Sequence, residues 1–74
     1  SNGGEGMIEH TREITKEEYD EIMEASDGRG FVPAYLETKY FDVATLCGYG
    51  LYGDKVFKKD GKYYLWYKTG SSCD

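Results

Sequence analysis

Aromatic and lysine side chains interleave near the end of the chain, where Tyr52, Tyr64 and Trp66 fall among Lys58, Lys62 and Lys68. Rings beside ammonium groups can stack on the bases of a single-stranded nucleic acid while the lysines meet its phosphates. The same residue types crowd the centres of protein interfaces, where a rigid ring buries a large area. A third reading keeps the rings internal, covered by residues 7–14 or by a second helix. A separate constellation is acidic: Glu17, Asp20, Glu21 and Glu24 repeat at helical spacing. Such a stripe either solvates a helix face or steers a basic partner.

Groupings that would signal catalysis fail on their spacing. Gly48-Tyr-Gly50-Leu-Tyr-Gly53 spells the glycine pattern of a dinucleotide-binding loop, but that loop must open a helix, and here a hairpin follows. A kinase glycine loop needs Val where Lys55 stands. These glycines instead predict a twisted, bulged strand that admits neighbouring rings. His10 is the single histidine, and nothing in its spacing from Cys47 suggests a thiol–imidazole pair. One His and two separated cysteines, Cys47 and Cys73, match no zinc spacing, and a helical stripe of carboxylates does not converge as a calcium loop does. The expectation is therefore no catalytic residue, no cofactor and no metal.

The elements carrying these residues follow from periodicity and caps. Residues 63–67, Tyr-Tyr-Leu-Trp-Tyr, form a strand with no polar face. Strand side chains alternate between faces, so a half-buried strand normally alternates apolar with polar. One layer of helix covers one face of such a ribbon, leaving the other for a partner, a second copy or a flat ligand. Asp60-Gly61 between β-prone runs marks a hairpin. A two-residue turn pairs Lys59 with Lys62. A three-residue turn pairs Lys58 with Lys62, sets Phe57 opposite Tyr63 and Cys47 opposite Cys73, and gathers Tyr52, Val56, Tyr64 and Trp66 on one face.

Upstream, Met7 to Ile14 reads as a short edge strand. Thr15-Lys-Glu-Glu18 fits a capping box, with Ile14 and Tyr19 placed as a hydrophobic staple. The helix that follows shows Tyr19, Ile22, Met23 and Ser26 on one side, and Gly28 is placed as its left-handed C′ residue. Pro33 opens a second, shorter helix ending near Asp42, in which Leu36, Tyr40 and Val43 share a side that Tyr35 and Phe41 can widen. The predicted core is Ile22, Met23, Leu36, Tyr40, Phe57 and Leu65.

With 74 residues the chain is one domain. Residues 1–6 read as an expression remnant or disordered lead-in, and residues 7–74 as the domain. Small domains bury a modest fraction of their surface, which 8 Tyr, 3 Phe and 1 Trp help to offset. The net charge of −5 is uneven, with 11 acids and 4 bases in residues 1–42 against 3 acids and 5 bases in residues 43–74. An acidic total argues against duplex DNA and anionic membranes as partners. No apolar run spans a bilayer or forms a signal peptide, which predicts a cytoplasmic protein; that compartment normally keeps both cysteines reduced, while a single Cys47–Cys73 bridge is the other option.

Residues 11–22 (Thr-Arg-Glu-Ile-Thr-Lys-Glu-Glu-Tyr-Asp-Glu-Ile) and the ending Lys-Tyr-Tyr-Leu-Trp-Tyr-Lys-Thr-Gly-Ser-Ser-Cys-Asp resemble short uncharacterised proteins of Gram-positive gut bacteria and their phages. The resemblance implies no set activity and carries over no functional residue. Small acidic phage proteins include inhibitors that bind host nucleases.

Together these readings predict a small α+β domain, one or two helices packed on an antiparallel sheet centred on a C-terminal β-hairpin. The expected function is non-enzymatic protein binding, as a phage or mobile-element inhibitor or adaptor. Tyr52, Tyr64 and Trp66 would make the contact, and Glu17, Asp20, Glu21 and Glu24 would steer the partner. A homodimer is one form of that contact, and single-stranded nucleic-acid binding through the hairpin's Tyr, Trp and Lys side chains is the alternative.

Overall fold

Local signals set the ends of the elements. The computed structural model describes residues 7–42 and 51–70; residues 1–6, Val43, both cysteines and the glycines at 48 and 50 lie outside that range. In chain order the elements are β1 (Met7–Ile14), α1 (Lys16–Ala25), a 3-10 turn (Ala34–Leu36) running into α2 (Glu37–Tyr40), β2 (Leu51–Lys59) and β3 (Lys62–Gly70).

The capping box forms as the sequence predicts. The Thr15 hydroxyl accepts from the Glu18 amide at 3.0 Å, and the Glu18 carboxylate accepts from the Thr15 amide at 2.8 Å. At the other end of α1, the Gly28 amide donates to Met23 O at 2.7 Å and the Asp27 amide to Glu24 O at 3.2 Å. These are the paired bonds of a Schellman motif. The left-handed C′ residue is Asp27 (φ 54°), not Gly28, which follows it at φ 80°. Asp tolerates that region better than most residues, so the expected glycine is displaced by one position.

Ser26, 2% exposed, then ties the helix to the sheet. Its hydroxyl donates to Ile22 O at 2.8 Å and accepts from the Gly30 amide at 2.9 Å. Gly30 O in turn accepts from the Val56 amide at 2.8 Å, on the outer edge of β2. Gly30 has φ 80°, a left-handed conformation that side-chain-bearing residues adopt only with strain. Two residues on, the Val32 amide donates to the Asp54 carboxylate at 2.7 Å.

The second helix is shorter than the sequence suggests. Pro33 precedes a 3-10 turn, and Phe41 is already extended at φ −115° and ψ 135°. Leu36, Tyr40 and Phe41 are buried, but Tyr35 is 74% exposed. The tighter 3-10 winding turns Tyr35 out of the expected apolar stripe.

The sheet is antiparallel with order β1-β3-β2, so the aromatic strand is central. Asp60 (φ 53°) and Gly61 (φ 77°) make a two-residue type I′ turn between Lys59 and Lys62. The shorter of the two predicted turns is therefore the one adopted. That choice sets Val56 opposite Leu65 and Phe57 opposite Tyr64. Because strand side chains alternate, the register exchanges Val56 and Phe57 between faces relative to the longer turn. Val56 is buried (8% exposed), whereas Phe57 leaves the predicted core for the other face. The expected bulge lies between Leu51 and Gly53, with Tyr52 as the extra residue.

Both helices serve the same side of the sheet. Ile14, Ile22, Val32, Leu36, Tyr40, Phe41, Val56, Leu65 and Tyr67 form the core, and Met23, Tyr19 and Tyr63 pack at its margin. Ile22 and Leu65 are fully buried, each contributing about 1.5–3 kcal/mol by leaving water. Arg12 of β1 reaches over this side to donate to Tyr40 O at 2.8 Å.

Candidate functional site: the helix-free face of the sheet

Pairing fixes which residues share the side away from the helices. On β3 they are Tyr64, Trp66 and Lys68; opposite them stand Glu13, Thr11 and Glu9 of β1, and Phe57, Lys55 and Gly53 of β2. Lys59 and Lys62 close the face at the turn. Among the described residues the helices pack on the other side, and here Tyr64 and Trp66 are partly buried and outside the core cluster.

The rings are held in place by their own neighbours. Phe57 stacks on Tyr64 with centroids 5.3 Å apart and planes 23° from parallel. Trp66 Nε1 donates to Glu9 Oε1 at 2.9 Å, which pins the indole towards β1. Two ammonium groups flank it, Lys55 Nζ at 5.7 Å and Lys68 Nζ at 5.9 Å from the ring centroid. Lys55 Nζ also lies 5.9 Å from the Phe57 ring. Such cation–π contacts are worth about 0.5–1 kcal/mol at exposed sites. The indole edge lies against Gly53, where a Cβ would sit at an ordinary contact distance of 3.8 Å from the ring. Near the turn, Thr11, Phe57, Lys59, Asp60 and Tyr64 surround a shallow open hollow of about 310 Å³.

Predicted contact residues divide by position. Tyr64 and Trp66 are side by side on this face, and Tyr52 is the bulged residue beside it, 50% exposed. Lys58 does not join them: it pairs with Tyr63 on the helix side, its Nζ 5.7 Å from that ring. Phe57, Lys55 and Glu9 belong to the site, and only the Asp60-Gly61 turn type could have assigned the first two from sequence.

The acidic stripe lies on α1, across the sheet from the rings, and two of its members are engaged. Asp20 pairs with Lys16 Nζ at 2.7 Å. Glu21 accepts from Lys39 Nζ at 2.8 Å and from the Tyr40 hydroxyl. The Lys39 bond, then the Tyr40 bond, hold the Glu21 carboxyl below its usual range. Burial, followed by the Glu21 contact, drives the Tyr40 phenol far above its ordinary value. Glu17 and Glu24 are exposed.

His10 has a structural place on the helix side. Its ring stacks on Tyr67 with centroids 4.6 Å apart, and Nε2 lies 3.0 Å from Thr69 Oγ1. Among the described residues no group of three His, Cys, Asp or Glu side chains is arranged to hold a metal. Nor is any described helix long and apolar enough to cross a membrane.

Fold and face together define a small α+β domain with a three-stranded sheet covered on one side by helices. No family model, curated protein or solved structure matches the chain.

Proposed function

We propose that this chain is a non-enzymatic protein-binding module, an inhibitor or adaptor of the kind mobile elements encode, whose contact surface is the helix-free face. One observation carries the reading: Phe57, Tyr64 and Trp66 stand together on the side of the sheet that no described helix covers. Large rings at the centre of a contact, surrounded by charged groups, are the pattern of interface hot spots. Tyr52 extends the patch at the bulge. Because the acidic stripe is on the far side, Glu17, Asp20, Glu21 and Glu24 act at range, by steering a basic partner rather than by touching it with the rings.

Single-stranded nucleic acid is the second reading, favoured by the lysines at Trp66 and by Lys59 and Lys62 at the turn. Rings with adjacent ammonium groups suit base stacking. Capture from a host lysate with wild-type and Trp66→Ala baits, beside titration of a labelled oligonucleotide at two salt concentrations, separates the readings. A protein retained by the wild type and lost with Trp66→Ala supports the first. Oligonucleotide binding that weakens steeply with salt replaces it with the second. Equal capture by both baits rejects the assigned surface.

A further inference from the structure

We infer that the helix-free face pairs with a second copy of this chain about a two-fold axis running along β3. The inference rests on reading that face as a protein contact, and it names the partner. Charge on the face is sorted by strand. On the flanking strands Glu9 and Glu13 stand on β1 and Lys55 and Lys59 on β2, while the central β3 carries Tyr64 and Trp66 between Lys62 and Lys68. Turning a second sheet over about an axis parallel to the strands lays its β1 across the first copy's β2. An acidic column then meets a lysine column, and symmetry repeats the match on the other flank. The other in-plane two-fold, perpendicular to the strands, lays β1 on β1 and β2 on β2, which stacks like charges.

Row heights agree with the first arrangement. Glu13 is level with Tyr64 and Phe57, while Lys55 is level with Trp66 and Lys59 with Lys62. Glu13 of one copy therefore arrives over Phe57 of the other, between Lys55 and Lys59, each about 7 Å away along the strand and within lysine reach. Glu9 arrives at the level of Gly53, where the edge of the first copy's own Trp66 indole lies, and next to Lys55. Side chains from two packed sheets interdigitate in this way. Trp66 and Tyr64 meet their counterparts near the axis. Lys68 and Lys62 meet their own counterparts there too: each Lys68 has its own Glu9 opposite it across the β1–β3 ladder, and Lys62 stands at the turn end, where its long side chain can swing outward into solvent.

The patch is small. Three strands about 4.8 Å apart and eight residues long give a projected area of about 400 Å² once side-chain width is included. Stable complexes bury about 800 Å² per partner, so the dimer is weak and forms at micromolar or higher concentration. The net charge of −5 on each copy opposes association at low salt, and screening at physiological salt, with a Debye length of about 8 Å, removes most of that repulsion.

Sedimentation equilibrium at physiological salt, from low micromolar to near-millimolar protein, tests the inference, with circular dichroism confirming that each variant is folded. The wild type should pass from monomer to dimer over that range. Trp66→Ala should weaken association at least about 30-fold, as for a hot-spot ring. Glu13→Lys and Lys55→Glu should each weaken it about 10-fold, because two charge contacts per dimer reverse sign. Mixing those two variants should restore a dimer. The reversed charge at position 13 of one copy then faces the reversed charge at position 55 of the other, while the second flank stays native. A wild type that remains monomeric throughout overturns the inference, as does a mixture that associates no better than its components. A monomeric wild type whose purified heterologous partner depends on Trp66 would refute the second copy alone and leave the protein-contact reading standing.

Discussion

Leu65 and Trp66 are consecutive on the central strand but face opposite ways, so truncating them should have very different consequences. Leu65 is 0% exposed, set between Arg12 and Val56 and under the helices. Leu65→Ala removes buried methyl groups and leaves a cavity, at a cost of about 3 kcal/mol. For a domain this size, whose whole stability is about 4–10 kcal/mol, that is a large fraction. It corresponds to a fall in melting temperature of about 12–24 °C. Trp66 is the larger side chain, and a fully buried Trp would cost more, about 3–5 kcal/mol. On the helix-free face, Trp66→Ala leaves no closed cavity and gives up partly buried area, the Glu9 bond and two cation contacts at the low end of their exposed range, about 2 kcal/mol in all. Urea unfolding followed by circular dichroism, at concentrations below association, measures both. Side-chain size alone predicts the reverse order, so a Trp66→Ala loss equal to or above that of Leu65→Ala would refute the assignment of faces.

Two further substitutions probe the corner that joins α1 to β2. Ser26→Ala leaves the buried Gly30 amide without its acceptor and should cost about 1–3 kcal/mol, with faster hydrogen exchange at Gly30; unchanged exchange would show that the amide finds another partner. Asp54 is held above the ordinary carboxylate range chiefly by burial, against the opposing bond from the Val32 amide. Its folded form thus binds a proton more tightly than its unfolded form, so its relative contribution is best below the unfolded pKa and is lost as pH rises through the folded pKa. Asp54→Asn keeps an acceptor for Val32 without the charge, and should raise stability at pH 7 by under about 1 kcal/mol, the group being partly exposed. The gain should vanish near pH 3 in paired melting curves, and a loss at pH 7 would contradict the argument. Glu21 runs the other way: its lowered pKa supplies stability above the unfolded value that is lost as pH falls, so Glu21→Gln should flatten the acid limb of the same curves.

The sequence carried the elements far better than their faces. Thr15 and Glu18 satisfy each other's backbone amides, a purely local device, and α1 starts where they require. The aromatic run at 63–67 has no polar face, so one helical layer could seal only one side of it, and Tyr64 and Trp66 on the other side are only partly buried. Register was harder to see. Asp60-Gly61 accommodates two turns, and a one-residue difference moves Phe57 from core to contact face and Lys58 to the helix side. Tyr35 points outward because a 3-10 turn replaces the first turn of the expected helix. Glu9 had no local signal at all, since its partner Trp66 is brought to it only by sheet pairing.

Trp66 is the only tryptophan, so its fluorescence reports the helix-free face without labelling. Acrylamide quenching measured across a dilution series addresses the central claim most directly. Dilute protein should show a readily quenched indole, with protection appearing only on addition of partner or at concentrations where copies associate. An indole shielded equally at every dilution would mean that the monomer already covers this face, and the contact surface assigned to it would not exist.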